Sequence, residues 1–333
     1  MKKKMINSAR VEGVLYQHNL ELKLSGPNSK KPGTEFISGT IDIATNNALT
    51  NIVPVHFTYV VATTASGKSN ATFETLKNII DKKIGCYTDP DVVDKAARVR
   101  VDTSIGLNEF YSDRSGEEEL VSVKRLEGGF VHVATSISEN ENQRNTFEVD
   151  IVIVGARDKE AVEDDSGNIT SPAKVILDGR IFNFRNDMLP VTFSVVNEKA
   201  MEYFRNLEAS PKNPVFTKIK GLIVSEQGVR YIKEESAFGE DSVKEIPTSN
   251  KDYVVTWAAL DPYEFNLEET ITFEDLKTMA QARENTLAEL KQRRDDYKAA
   301  QANSNNALAN TATAKPKTAA TTPATPTDAD YKF

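Results

Sequence analysis

A single cysteine, Cys86, stands in 333 residues, so the chain has no internal disulfide and no paired-cysteine zinc or redox motif. Histidine is almost as scarce. None of His18, His56 and His132 has a partner at ligand spacing, and no metal or other cofactor is expected. The chain also lacks a Gly-x-Ser-x-Gly elbow and an HExxH helix. Its nearest approach to a nucleotide motif is ASGKSN, Ala65 to Asn70, between a strand and a helix. A phosphate-wrapping loop needs a glycine where Ala62 stands, so these residues read as an ordinary connecting loop. No catalytic constellation emerges, and the chain is expected not to be an enzyme. No stretch reaches the roughly 18 apolar residues of a membrane span. The start, MKKKMINSARVEG, carries charge without an apolar core for a signal peptide. A cytoplasmic protein with no membrane partner is the expectation.

What is present is β-pattern. From Val11 to Val154, β-branched and aromatic residues alternate with polar ones between Gly, Pro and Asn. Strands are expected at Val11 to Leu24, Glu35 to Ala44, Ile52 to Val60, Arg98 to Ile105, Leu120 to Val133 and Phe147 to Val154. One helix interrupts them at Ala71 to Asp81, with Asn70 as its cap and Phe73, Leu76, Ile79 and Ile80 on one face. The same order returns in shorter form: strands in KVILDGRIFNF and LPVTFSVV, a helix in NEKAMEYFRNL capped by Asn197, then strands in FTKIKGLIVSE and YVVTWAAL. A helix after the third strand of a small barrel is the layout of the oligonucleotide-binding (OB) fold. The expected fold is therefore mainly β: two tandem OB-like small barrels, each with one helix, then a C-terminal helix and a disordered tail. The expected boundaries are an N-terminal arm at 1–9, a first domain at 10–160, a linker at 161–173 and a second domain at 174–266. A helix at 270–300, opened by Thr272 with Asp275, docks on the second barrel or pairs with another copy. The Ala/Thr/Pro tail at 301–333 cannot bury enough surface to fold.

Net charge is −8, but much of the acid falls in loops such as Glu117 to Glu119 and Glu160 to Asp165. The strands interleave basic and aromatic residues at period two. Arg98 and Arg100 share one face of RVRVD. Lys124 and Arg125 precede a Gly-Gly bend, with Phe130 and His132 beyond it. In GRIFNFR, Arg180, Phe182 and Phe184 alternate, followed by Arg185, and Lys218 and Lys220 sit in FTKIKG. Cations that track a backbone beside rings that stack on bases are what single-stranded nucleic acid calls for. A virion or scaffold assembly protein built of β domains is the competing reading, because short strands, acidic charge and a trailing helix suit it too.

The ordered phrases RVRVDTSIGLNEFYSDRSGEEELVSVKRLEGGFVHV, TFEVDIVIVG, GRIFNF, LPVTFSVVNEKAMEYFRNL, KGLIV and YVVTWAALDPYEFN resemble single-stranded DNA-binding proteins of bacteriophages and bacterial mobile elements. The resemblance covers roughly residues 10 to 270. It implies a protein that coats single-stranded DNA during phage DNA replication or recombination in the bacterial host cytoplasm. The closing TDADYKF is also similar to the tips of such proteins. There Asp328, Asp330, Tyr331 and Phe333 would recruit replication or recombination partners, an aromatic residue entering an apolar pocket while the aspartates meet basic groups. The two aspartates are not adjacent here, and Lys332 stands beside Phe333.

Overall fold

The computed structural model describes residues 5–27, 29–114, 116–163, 169–234, 242–266 and 270–312. Elements follow the chain as β1 (Asn7–His18), β2 (Glu21–Leu24), β3 (Glu35–Ala44), β4 (Ile52–Val61), α1 (Ala71–Ile80), β5 (Arg98–Ser112) and β6 (Glu119–Val133). Next come β7 (Asn145–Lys159), β8 (Val162–Glu163), β9 (Ile169–Ser171), β10 (Lys174–Phe182), β11 (Met188–Val195), α2 (Glu198–Asn206), β12 (Val215–Glu234) and β13 (Ser242–Ala258). The last is α3 (Phe273–Ala312).

The strand pairing closes two rings. β1 runs antiparallel to β3 and β5, β3 to β4 and β5 to β6, while β4 meets β6 in parallel. β7 repeats this with β10 and β12, β10 with β11, β12 with β13, and β11 meets β13 in parallel. Each ring has its helix between third and fourth strands, so the OB arrangement occurs twice. Both helices start as their asparagines dictate: the Asn70 side chain accepts from Thr72 N and that of Asn197 from Ala200 N. Phe73, Leu76 and Ile79 of α1 and Phe204 of α2 are buried against the barrels. Burial of each such side chain is worth about 1.5–3 kcal/mol.

Two features join the rings within the unit Met1–Glu284. First, β1 and β7 pair antiparallel, from Asn7 opposite Val149 to Val11 opposite Asn145. Its ladders with β10 and β12 make β7 the opening strand of the second ring, whereas the sequence pattern counted Phe147 to Val154 with the first. Second, each ring sends its last hairpin onto the other. The Lys124 ammonium on β6 donates to the Thr192 carbonyl of β11 and lies 4.1 Å from the Tyr253 ring centre and 4.9 Å from that of Phe193. Farther along the hairpin, the Glu109 carboxylate of β5 takes two hydrogen bonds, 2.5 and 3.2 Å, from the Arg283 guanidinium at the start of α3. In return, Ser225 N and Gln227 N of β12 donate to the Asn51 side chain and the Thr50 carbonyl before β4.

The first turns of α3 cover the second barrel. Leu276, Met279 and Ala280 pack on a cluster of Val152, Phe182, Met188, Phe216 and Ile271. Thr272 and Asp275 form the expected reciprocal cap: Asp275 N donates to Thr272 Oγ1, and Thr272 N donates to the Asp275 carboxylate. Residues 285–312 continue the helix as a separate unit. Among the described residues no helix is long and apolar enough to cross a membrane.

Candidate nucleic-acid interface

The β1–β7 pairing merges parts of both rings into one run of strands, β6-β5-β1-β7-β12-β13. On β5, Val99 and Val101 point into the core, so Arg98, Arg100 and Asp102 take the opposite face. Register then fixes their neighbours. Arg100 lies opposite His132 on one side and Glu12 on the other, and Asp102 lies between Phe130 and Arg10. Across the junction, Ser8 faces Glu148, Glu148 faces Lys220, and Lys220 faces Trp257. At a strand spacing of about 4.8 Å, this face is roughly 24 Å across.

Its two margins are aromatic. Phe130 is 67% exposed and Trp257 is 48% exposed. Each follows a bulge that needs glycine. Gly128 and Gly129 have φ of 62° and 111°, and a Cβ on Gly129 would fall 2.1 Å from the Asp102 carbonyl oxygen. Near Trp257, the register shifts between Lys220 and Gly221, where a Cβ would fall 2.0 Å from the Val254 carbonyl oxygen. A groove of about 720 Å³ lies between the margins, lined in part by Ser8, Arg10, Asp102, Thr146, Glu148 and Lys220.

The cations on this face are mostly held by carboxylates. Arg10 bonds Asp102 at 2.8 Å, and Arg100 bonds Glu12, itself buried, at 2.8 Å. Lys218 and Lys220 share Glu148 at 3.0 and 3.2 Å, and the Lys220 ammonium lies 5.2 Å from the Trp257 ring centre. Arg98 is exposed and has no carboxylate partner among the described residues. Six residues expected from sequence therefore meet here: Arg98, Arg100, Phe130, His132, Lys218 and Lys220. Arg10 and Trp257 join them unforeseen. Arg10 was missed because the strand was started at Val11, although S-A-R-V-E already alternates.

The other expected residues lie elsewhere. Phe182 is fully buried in the cluster under α3 and offers no ring to a ligand. Lys124 is enclosed against the second barrel, and burial pulls its pKa down to about 8, with Asp252 opposing and Lys174 reinforcing the shift. It is a contact between barrels rather than a phosphate ligand. Arg125 is bonded to Glu127 at 2.6 Å and is 23% exposed. Arg180 is half-buried beside α3; burial and then the Arg283 charge hold its pKa below the usual arginine value, against Asp178. Phe184 and Arg185 stand on the β10–β11 turn, where the ring is 80% exposed. Asp328, Asp330, Tyr331 and Phe333 lie outside the described residues. Around the start of ASGKSN, Thr64 to Lys68 form a tight turn in which Thr64 Oγ1 donates to the Lys68 carbonyl. Among the described residues no group of three or more His, Cys, Asp or Glu is placed to hold a metal ion. Cys86 is buried, and burial pushes its thiol up to about 11.

Two five-stranded rings joined edge to edge, with a polar face margined by exposed rings, define a tandem OB-fold protein. The chain belongs to the YorF family, whose model matches residues 6–306. Among solved structures, it is similar to a deletion and point variant of the single-stranded DNA binding protein from Thermus aquaticus. That likeness has 12% identity and a TM-score of 0.42 over 80% of this chain and 99% of the other. A comparison with curated proteins finds no match.

Proposed function

We propose that this protein binds single-stranded DNA along the six-strand face, largely without regard to base sequence, and coats it during phage DNA replication or recombination. The observation that carries this reading is the convergence of Arg98, Arg100, Arg10 and Lys220 between the exposed rings of Phe130 and Trp257. Rings stack on any base, while the cations follow phosphates. Residues Asp328, Asp330, Tyr331 and Phe333 would then recruit replication or recombination proteins to the coated strand.

The paired cations give the reading an unusual test. Glu148 holds two lysines, so Glu148→Gln frees both for phosphate while keeping a polar side chain of the same shape. Two extra phosphate contacts add roughly 1.4 to the log–log salt slope for a single strand. Anisotropy of labelled oligo-dT at several salt concentrations is expected to show salt-sensitive binding by the wild type, with tighter and steeper binding by Glu148→Gln. Absence of binding at low salt by either form would favour the assembly reading. Wild-type binding with an unchanged Glu148→Gln slope would remove Lys218 and Lys220 from the path.

A further inference from the structure

We infer that the cleft between β4 of the first barrel and the β10–β11 turn of the second is a nucleobase slot, holding a base of the same single strand beside the Phe184 and Tyr59 rings. The inference rests on the proposed DNA-binding function and extends it to a site that neither barrel forms alone. The cleft has a volume of about 460 Å³, and Thr58, Tyr59, Ser104, Gly106, Phe184 and Arg185 contribute to its lining. Small-ligand pockets span roughly 300–1,000 Å³.

Its chemistry suits a base with its phosphate. Tyr59 is 50% exposed and is held by the Phe36 ring, 4.6 Å away between centres. Phe184 is more exposed still, and the Arg185 guanidinium lies 5.1 Å from its ring centre. The turn that carries both is fixed in advance. The Asn183 side chain accepts from Arg185 N and Asp187 N, both at 2.9 Å, and Asn183 N donates to the Asp187 carbonyl. Preorganisation of this kind lowers the entropy cost of gripping a ligand. Arg185 has no carboxylate partner among the described residues, and the acid in the cleft, Glu127, is already bonded to Arg125. Thr58 and Ser104 supply hydrogen-bonding groups to a base edge.

Position ties the slot to the six-strand face. Asp102 lies on that face opposite Phe130, and Ser104 of the same strand lines the cleft. Two residues of strand place Ser104 about 7 Å farther on. A strand of DNA passing Phe130 therefore reaches the slot by following β5. A nucleic acid fits better than an apolar peptide because the free charge is a cation and the rings are separated by polar groups.

The test uses full-length protein and an oligo-dT carrying single 5-iododeoxyuridine substitutions. Irradiation is expected to produce adducts at Tyr59 or Phe184, read by mass spectrometry. Phe184→Ala and Tyr59→Ala should each weaken binding by about fivefold to about a hundredfold, the range for losing one stacked base. Phe184 is exposed, so its variant should melt as the wild type does, and its Trp257 emission should still respond to oligo-dT. Wild-type binding with no adduct at either ring and unchanged affinity for both variants would overturn the slot alone. Failure of the wild type to bind oligo-dT would overturn both the slot and the DNA-binding function beneath it.

Discussion

Replacing Arg98, Phe130 and Lys220 together by alanine is expected to weaken binding of oligo-dT by about a hundredfold or more while leaving the melting curve in place. Loss of one stacked base costs about 1–3 kcal/mol, and removing Arg98, the one of the two cations that no carboxylate holds, flattens the salt slope by roughly 0.7. The three side chains are well exposed, so their effect on folding should stay within about 0.5 kcal/mol each. Arg100 is left intact in this design. Its partner Glu12 is buried, and removing the guanidinium would leave a carboxylate out of water without its counterion. Anisotropy across a salt series, with circular dichroism as the control for folding, checks the expectation. Unchanged affinity in the triple variant would move the binding path off this face.

The second large effect concerns how the barrels are held. Glu109 and Arg283 are each 15% exposed, and both carboxylate oxygens are engaged by the guanidinium. Glu109→Ala leaves the Arg283 charge beside that of Arg180, while Asp178, the acid that acts on Arg180, is committed to Arg157 at 3.0 Å. Breaking a largely buried pair from one side costs about 3–5 kcal/mol. The denaturant midpoint should fall accordingly. Adding Arg283→Met should recover much of the loss, because an apolar pair has no charge to desolvate. A Glu109→Ala variant as stable as the wild type would mean that the β5–β6 hairpin does not hold α3 in solution.

Much of this architecture was legible in period and punctuation. Residues Glu35 to Ala44 form the strand their alternation predicts, and Asn70, Asn197 and Thr272 cap the helices they precede. The twofold order of strands, one helix and further strands gave the two barrels, although Phe147 to Val154 was counted with the first and opens the second. What alternation could not reveal was which outward face another element would cover. Lys124 shares a face of β6 with the buried Leu126 and was expected to meet a ligand, yet the second barrel lies over it. Phe182 and Phe184 were expected on one face, but β10 ends at Phe182. The residues of α3 then bury the first ring, while the turn exposes the second. Trp257 and Glu148 escaped notice for a related reason. Their importance comes from the β1–β7 junction and the β12 register, which are long-range pairings that no local pattern encodes.

The most direct measurement of the central claim uses the chain's single tryptophan. Trp257 stands half-exposed at one margin of the face, beside Lys220, so its emission reports contact with a base without any added label. Titration with oligo-dT is expected to quench that emission in a saturable way, with an affinity that matches anisotropy and weakens as salt rises. Binding detected by anisotropy with no change in Trp257 emission would contradict the account, because the strand would then be held somewhere other than the face that joins the two barrels.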